Sequence, residues 1–172
     1  MLVVSSVPDP PWLPEGGRAD VVLAAPGDEP PTPVGLVRLL VTGPHGRVFT
    51  VPRTGGRPGL DLPTAAVPVA ASVRGVLAGL VSDVLGRTAP TVQLGFVRNT
   101  VPPGTVYEWP SPVAHFCVYR TVDPQSPVVD GTWLDRDTAA VHLAERHWWP
   151  LLAVEAGGGP RATVEYRRDA AR

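Results

Sequence analysis

Apolar positions along the chain alternate between two spacings. Residues 34–41 and 47–51 are β-branched and apolar runs on either side of GPHG, a pattern that predicts a β-hairpin. LDLPT reads as a short strand ended by proline. Val73, Val76, Leu77, Leu80, Val81 and Val84 then recur at helical spacing. Pro68 suits the start of that helix and Gly86 its end. TVQLGFVRNTV and VAHFCVYRTV are two further strands, parted by the loop PPGTVYEWPSP, and DGTW marks a turn into another strand. DRDTAAVHLAERHWWPLLAVEA reads as one helix, with Asp135 or Asp137 as its N-cap and Trp148, Trp149 and Leu152 as packing residues.

This order of elements belongs to the α+β class, buried most economically as a mixed β-sheet with helices on both faces. Residues 1–33, rich in proline, glycine and acids, read as a loosely packed N-terminal arm with room for one edge strand. Residues 34–156 form the folded domain, and residues 157–172 a charged tail. No internal repeat is visible.

Composition narrows the chemistry. With 172 residues and 44% apolar content the chain reads as one globular domain. Its N-terminus has neither a basic region nor an apolar run long enough for a signal peptide, so a cytoplasmic protein is expected. A net charge of −1 argues against nucleic-acid or anionic-membrane partners. Cys117, the one cysteine, precludes an internal disulfide. All 15 basic residues are arginine, which removes lysine Schiff-base and P-loop chemistry. The bias toward Ala, Val, Gly, Pro and Arg fits a bacterial-type, GC-rich coding sequence.

The stretch LPTAAVPVAASVRGVLAGLVSDVLG, residues 62–86, resembles the Nudix box, G-x5-E-x7-R-E-U-x-E-E-x-G-U with U a bulky aliphatic, usually preceded by Leu-Pro-Gly-Gly. LPTA takes the Leu-Pro-Gly-Gly place and puts Ala65 on the first glycine. Without a gap, Ala71 falls on the first glutamate, Gly79 on the arginine and Leu80 on the next glutamate. Val81 falls on the aliphatic, Asp83 and Val84 on the glutamate pair, and Gly86 on the closing glycine. Registers starting at Gly55 or using Arg74 lack the ligand set too. The flanking hairpin, VAHFCVYR and DGTWLDRDTA also resemble the family, so the similarity spans roughly residues 34–153 and implies a Nudix-like α/β/α sandwich.

In that family, carboxylates on successive helix turns converge on Mg²⁺ or Mn²⁺, which bridges a substrate diphosphate and activates water. Positions 80, 83 and 84 share a helical face, and here they read Leu, Asp, Val. The expectation is therefore a degenerate box with no metal site and no cofactor, the alternative being weakly bound Mg²⁺ on Asp83.

Other candidate site residues lie outside the box. Asp83, His115 and Glu108 are the candidate catalytic groups. Arg53 and Arg57 could grip a phosphate or carboxylate, and Trp109 could stack on a flat ring. His115, Cys117 and Tyr119 alternate to one side of their strand, about 6.5–7 Å between successive members, and Cys117 is expected to be a buried structural thiol. Leu80, Val84 and Cys117 are expected to line a cleft between sheet and box helix.

Three functions follow. The first is a Nudix-fold protein, not an ordinary diphosphate hydrolase, that binds a small molecule, nucleotide-like or otherwise, or a partner in its cleft. The second is a metal-independent enzyme of a biosynthetic pathway. The third is a weak hydrolase of nucleoside diphosphate derivatives using Asp83, Asp61 and Glu108. The arm could pair across a homodimer or cover the cleft; the sequence leaves both open.

Overall fold

The computed structural model describes residues 1–155. The expected charged tail, and residue 156 of the expected domain, lie outside that range. Elements run β1 (Leu2–Pro8), β2 (Arg18–Leu23), β3 (Val34–Leu40), β4 (Val48–Pro52), β5 (Leu60–Asp61), β6 (Thr64–Ala66), α1 (Val73–Leu85), β7 (Thr91–Thr100), β8 (Val113–Thr121), β9 (Thr132–Leu134), α2 (Arg136–Leu143) and α3 (Trp149–Glu155). The main sheet has the order β1-β2-β7-β8-β3-β6, and a smaller one has the order β5-β4-β9. In the main sheet β3 and β8 are parallel and the other pairs antiparallel. The result is a mixed sheet with helices on both faces.

Strand β3 is buried along its whole length, as expected of a central parallel strand covered on both sides. Alternate side chains feed two cores. Val37 and Leu39, with Cys117 and Tyr119 of β8, pack under Leu77, Leu80, Val81 and Val84 of α1. Leu36 and Leu40, with Val118, pack on the other face against Trp148 and Leu151. Among the described residues no helix is long and apolar enough to cross a membrane.

Helix α1 starts later than the proline at 68 suggests. Residues 68–71 make a single turn, and the Ser72 hydroxyl then caps the helix by accepting from the Gly75 N–H at 2.9 Å. Gly86 ends it in the left-handed region, φ 66°, with its N–H on the Ser82 carbonyl.

Three further expectations change. Residues 2–23 are not a loose arm: β1 and β2 extend the main sheet, and β2 pairs along β7. This works because the β2 stretch RADVVL is apolar enough to be half core, with Ala19, Val21 and Val22 buried. The expected hairpin forms only next to its turn, where Thr42 bridges Val48, the Gly43 N–H donates to the Arg47 carbonyl at 2.9 Å and the Phe49 N–H to the Val41 carbonyl at 3.0 Å. Beyond it β4 leaves β3 to pair with β5 and β9. The long last helix is two helices, α2 capped by Asp135, which accepts from the Thr138 N–H at 2.8 Å, and α3. They are broken over residues 144–148, where the buried Trp148 indole N–H donates to the Asp61 carboxylate at 2.8 Å.

Candidate functional site

A cleft of about 580 Å³ opens on the sheet face opposite α1. Its floor is Leu36 and Arg38 of β3 with Phe116 of β8. One wall comes from Arg53 and Arg57, in the loop after β4, together with Asp61 and Thr64. The opposing wall is the loop before β8, with Tyr107, Glu108 and Trp109. The α2–α3 turn supplies Glu145, Arg146 and His147, and Trp12 reaches in from the β1–β2 connection. A hollow of similar volume at residues 9–16 is lined mostly by prolines and exposed groups, and none of its lining side chains has a buried polar atom without a partner. The cleft is therefore the better candidate.

Aromatic rings shape it around Phe116. Trp109 lies edge-on to Phe116 with centroids 5.1 Å apart, and His147 is tilted against the same ring at 6.1 Å. The Arg38 guanidinium sits 5.8 Å from the Phe116 centroid. Trp12 and His147 are 5.6 Å apart. Glycine at 35 admits this packing, because a β-carbon there would stand 3.0 Å from both Phe116 and Trp109. Tyr107 accepts a bond from the Asn99 amide at 3.3 Å; burial first, and Glu108 beside it, push its hydroxyl up to about 12.

The charges are unevenly satisfied. Arg146 donates from Nε to the Leu60 carbonyl at 2.9 Å. Asp61 accepts from the Leu62 N–H and from Trp148, each at 2.8 Å. Arg38, 5% exposed, lies 3.7 Å from Asp61, too far for a hydrogen bond, and its Nε and Nη1 have no partner among the described residues. Burial, and then the nearby Arg146 and Arg53, hold its pKa down to about 10 against the pull of Asp61. The Trp12 indole nitrogen and His147 Nε2 are likewise buried and unpartnered. Burial, then Arg38, Arg146 and Arg53, keep His147 well below its usual range and hence neutral at pH 7. Among the described residues four arginines and three carboxylates line the cleft, a formal charge of +1.

Of the residues singled out from sequence, Arg53, Arg57, Glu108 and Trp109 meet in this cleft. Glu108 accepts from the Trp109 indole N–H at 3.0 Å. Leu80, Val84 and Cys117 do not line it; they are buried on the α1 face. Asp83 is exposed on α1. His115 faces the α1 side too, its Nδ1 3.0 Å from the Pro33 carbonyl and its ring edge-on to Phe96. Burial raises the Cys117 thiol to about 12, far from a thiolate at neutral pH. Trp12, Arg38, Tyr107, Arg146 and His147 were not predicted. The one available signal was Arg38, a lone charge inside the apolar run VGLVRLL.

The divalent metal that the family resemblance implies finds a poor fit. Among the described residues no three His, Cys, Asp or Glu side chains are grouped to hold an ion. Leu80 and Val84 have no ligand oxygen and pack against the sheet.

Comparison with solved structures gives the fold its class. A MutT structure, from work on Aliivibrio salmonicida and Vibrio cholerae, matches at TM-score 0.50 and 12% identity, over 70% of this chain and 98% of its own. A candidate Nudix hydrolase of Listeria monocytogenes matches at TM-score 0.50 and 8% identity, over 74% and 99% respectively. No protein-family profile matches the sequence, and no curated protein does. The α/β/α sandwich seen here is thus one already known among hydrolases. More narrowly, this chain has the Nudix fold.

Proposed function

We propose that this chain is a Nudix-fold, metal-independent cytoplasmic protein that holds a small molecule in the cleft above Leu36, Arg38 and Phe116. The observation that carries this reading is the contrast between the two sheet faces. On the α1 face, Leu80 and Val84, at positions where the resemblance would put metal-binding carboxylates, are buried in core. On the other face, unpartnered polar atoms of Trp12, Arg38 and His147 line an aromatic cleft of ligand size. A buried polar group without a partner costs about 1–3 kcal/mol, and a ligand in the cleft would supply the missing partners.

The matched hydrolases lend a fold, and fold does not carry activity. Cys117 and His115, the thiol and imidazole singled out from the sequence, are enclosed away from the cleft and so do not support an enzyme built on them. Calorimetric titration with Mg²⁺ and Mn²⁺, followed by assay of phosphate release from a panel of nucleoside diphosphate derivatives, tests the reading. The expected outcome is no stoichiometric cation uptake and no release. Tight cation binding with turnover would overturn it and restore the hydrolase.

A further inference from the structure

We propose that the inner end of the cleft is a carboxylate subsite, and that the ligand is an organic monoacid carried on a flat ring. This deepens the reading of the cleft as a small-molecule site and rests on it. Arg38 is the centre of the argument. It is 5% exposed, it sits on the floor of the cleft, and both Nε and Nη1 lack a hydrogen-bond partner. The two terminal amino groups of a guanidinium, Nη1 and Nη2, form a fork that matches the two oxygens of a carboxylate. The unpartnered Nη1 is free to make its half of that pair, while Nε, on the opposite side from Nη1, lies 3.7 Å from Asp61. Asp61 does not fill that role: its Oδ1 already accepts two bonds and stays 3.7 Å away.

Two more buried, unpartnered nitrogens line the same cleft, the Trp12 indole N–H and His147 Nε2, with the Trp12 and His147 rings 5.6 Å apart. An indole nitrogen can only donate, and Nε2 of a neutral imidazole donates or accepts according to its tautomer. Two side chains that want acceptors, Arg38 and Trp12, thus line one cavity, with a third that can donate beside them. The outer walls offer ring faces and edges from Trp109 and Tyr107, which suit a planar hydrophobic body.

Charge selects the anion. With arginines exceeding carboxylates by one, a single negative charge neutralises the cleft. A doubly charged phosphate would meet Asp61, Glu108 and Glu145 with charge to spare.

The test is calorimetry on the full chain near neutral pH with 2-naphthoate, its neutral amide 2-naphthamide and the dianion 2-naphthyl phosphate. The acid is expected to bind saturably, at least about tenfold tighter than the amide, as loss of a charge-assisted pair implies. It is also expected to bind tighter than the phosphate. Arg38→Met should abolish the preference for acid over amide. Trp12→Phe, which keeps the ring and removes the donor, should weaken the acid several-fold and leave the amide unchanged; it keeps the proposal testable if the Arg38 variant misfolds. Equal binding of acid and amide, or an acid affinity unmoved by both substitutions, overturns the carboxylate subsite while a small-molecule cleft stands. Tighter binding of the phosphate overturns the monoanion selection. No binding of the acid or the amide sinks the subsite, and cation-dependent hydrolysis of the phosphate panel would instead sink the underlying reading.

Discussion

Replacing Arg38 by methionine should make the empty protein more stable. The guanidinium is buried, its counter-ion Asp61 is 3.7 Å away, and two of its nitrogens have no partner among the described residues. Its pKa falls from 12.5 to about 10, with burial the dominant cause and the repulsion of Arg146 and Arg53 outweighed in part by Asp61. At about 1.4 kcal/mol per unit, holding the charge in the folded chain costs about 3 kcal/mol at pH 7, where folded and unfolded chains are both protonated. Methionine keeps much of the apolar stem and offers sulfur to the Phe116 ring. Against this stand the lost cation–π contact at 5.8 Å, worth about 0.5–1 kcal/mol, and partial relaxation around the charge. A net gain of about 1–2 kcal/mol follows, in line with buried ion pairs whose apolar replacements stabilise. In a domain of this size that is roughly 2–8 °C in Tm. Urea unfolding of both proteins, with equal m-values as the check that the unfolded state is unchanged, measures it. A variant destabilised by more than about 1 kcal/mol would mean that Arg38 is a structural support, and that the unpartnered nitrogens carry no information about a ligand.

Other consequences are as sharp. Asp20 is 3% exposed and ties three strands together, accepting from Ser6 and Arg18 at 2.7 Å each and from Arg98 at 2.8 Å. Burial raises its pKa, yet Arg98, Ser6 and Arg18 together bring it below 3.8, so its stabilisation is present above that pH and fades as pH falls below it. Because both arginines are largely exposed, Asp20→Asn should cost only about 1–2 kcal/mol at pH 7 and should flatten the acid limb of a stability–pH curve. His147 is held neutral when folded, so the unfolded chain takes up its proton first and stability drops as pH falls through 6.5. His147→Phe should reduce that slope, and His115, lowered by its own burial, should leave a remainder. Cys117 should resist an aromatic disulfide reagent in the native protein and react at once in denaturant. Restoring family letters by Leu80→Glu would push a carboxylate into core, costing upwards of about 3 kcal/mol, and Mg²⁺ should not rescue the Tm.

Helix α1 was legible because its apolar residues keep one period and Gly86 stops it; its start was misplaced at Pro68, since Ser72 supplies the cap. Strands β7 and β8 were legible for a similar reason. What failed was long-range choice. Nothing local in RADVVL says that it will pair with β7 across most of the domain. Nothing in the segment 41–51 says that β4 will prefer β9 to β3, a preference set by Phe49 against Trp133, centroids 5.3 Å apart. The break between α2 and α3 depends on Trp148 reaching Asp61, 87 positions earlier. In the cleft, Arg53, Arg57, Glu108 and Trp109 stood out because polar and aromatic loop residues invite attention. Arg38 was hidden by its apolar neighbours, Trp12 by lying in the stretch read as a loose arm, and His147 by standing beside tryptophans read as packing.

The alternation of β3 and β8 explains how one Nudix-fold sheet can carry a cleft that owes little to the box helix. Successive residues point to opposite faces, so Val37, Leu39 and Cys117 answer to α1 while Leu36, Arg38 and Phe116 answer to the α2–α3 turn. Leu80 and Val84 can seal the first face without touching a side chain of the second. The two faces are joined through the backbone at Gly35, where the register between β3 and β8 shifts and the missing β-carbon makes room for Trp109. A change of chemistry on the α1 face therefore leaves the cleft's geometry in place. The physical link that remains is stability: burial of Leu80 and Val84 supplies free energy on one face, and the uncompensated Arg38 charge draws on it on the other.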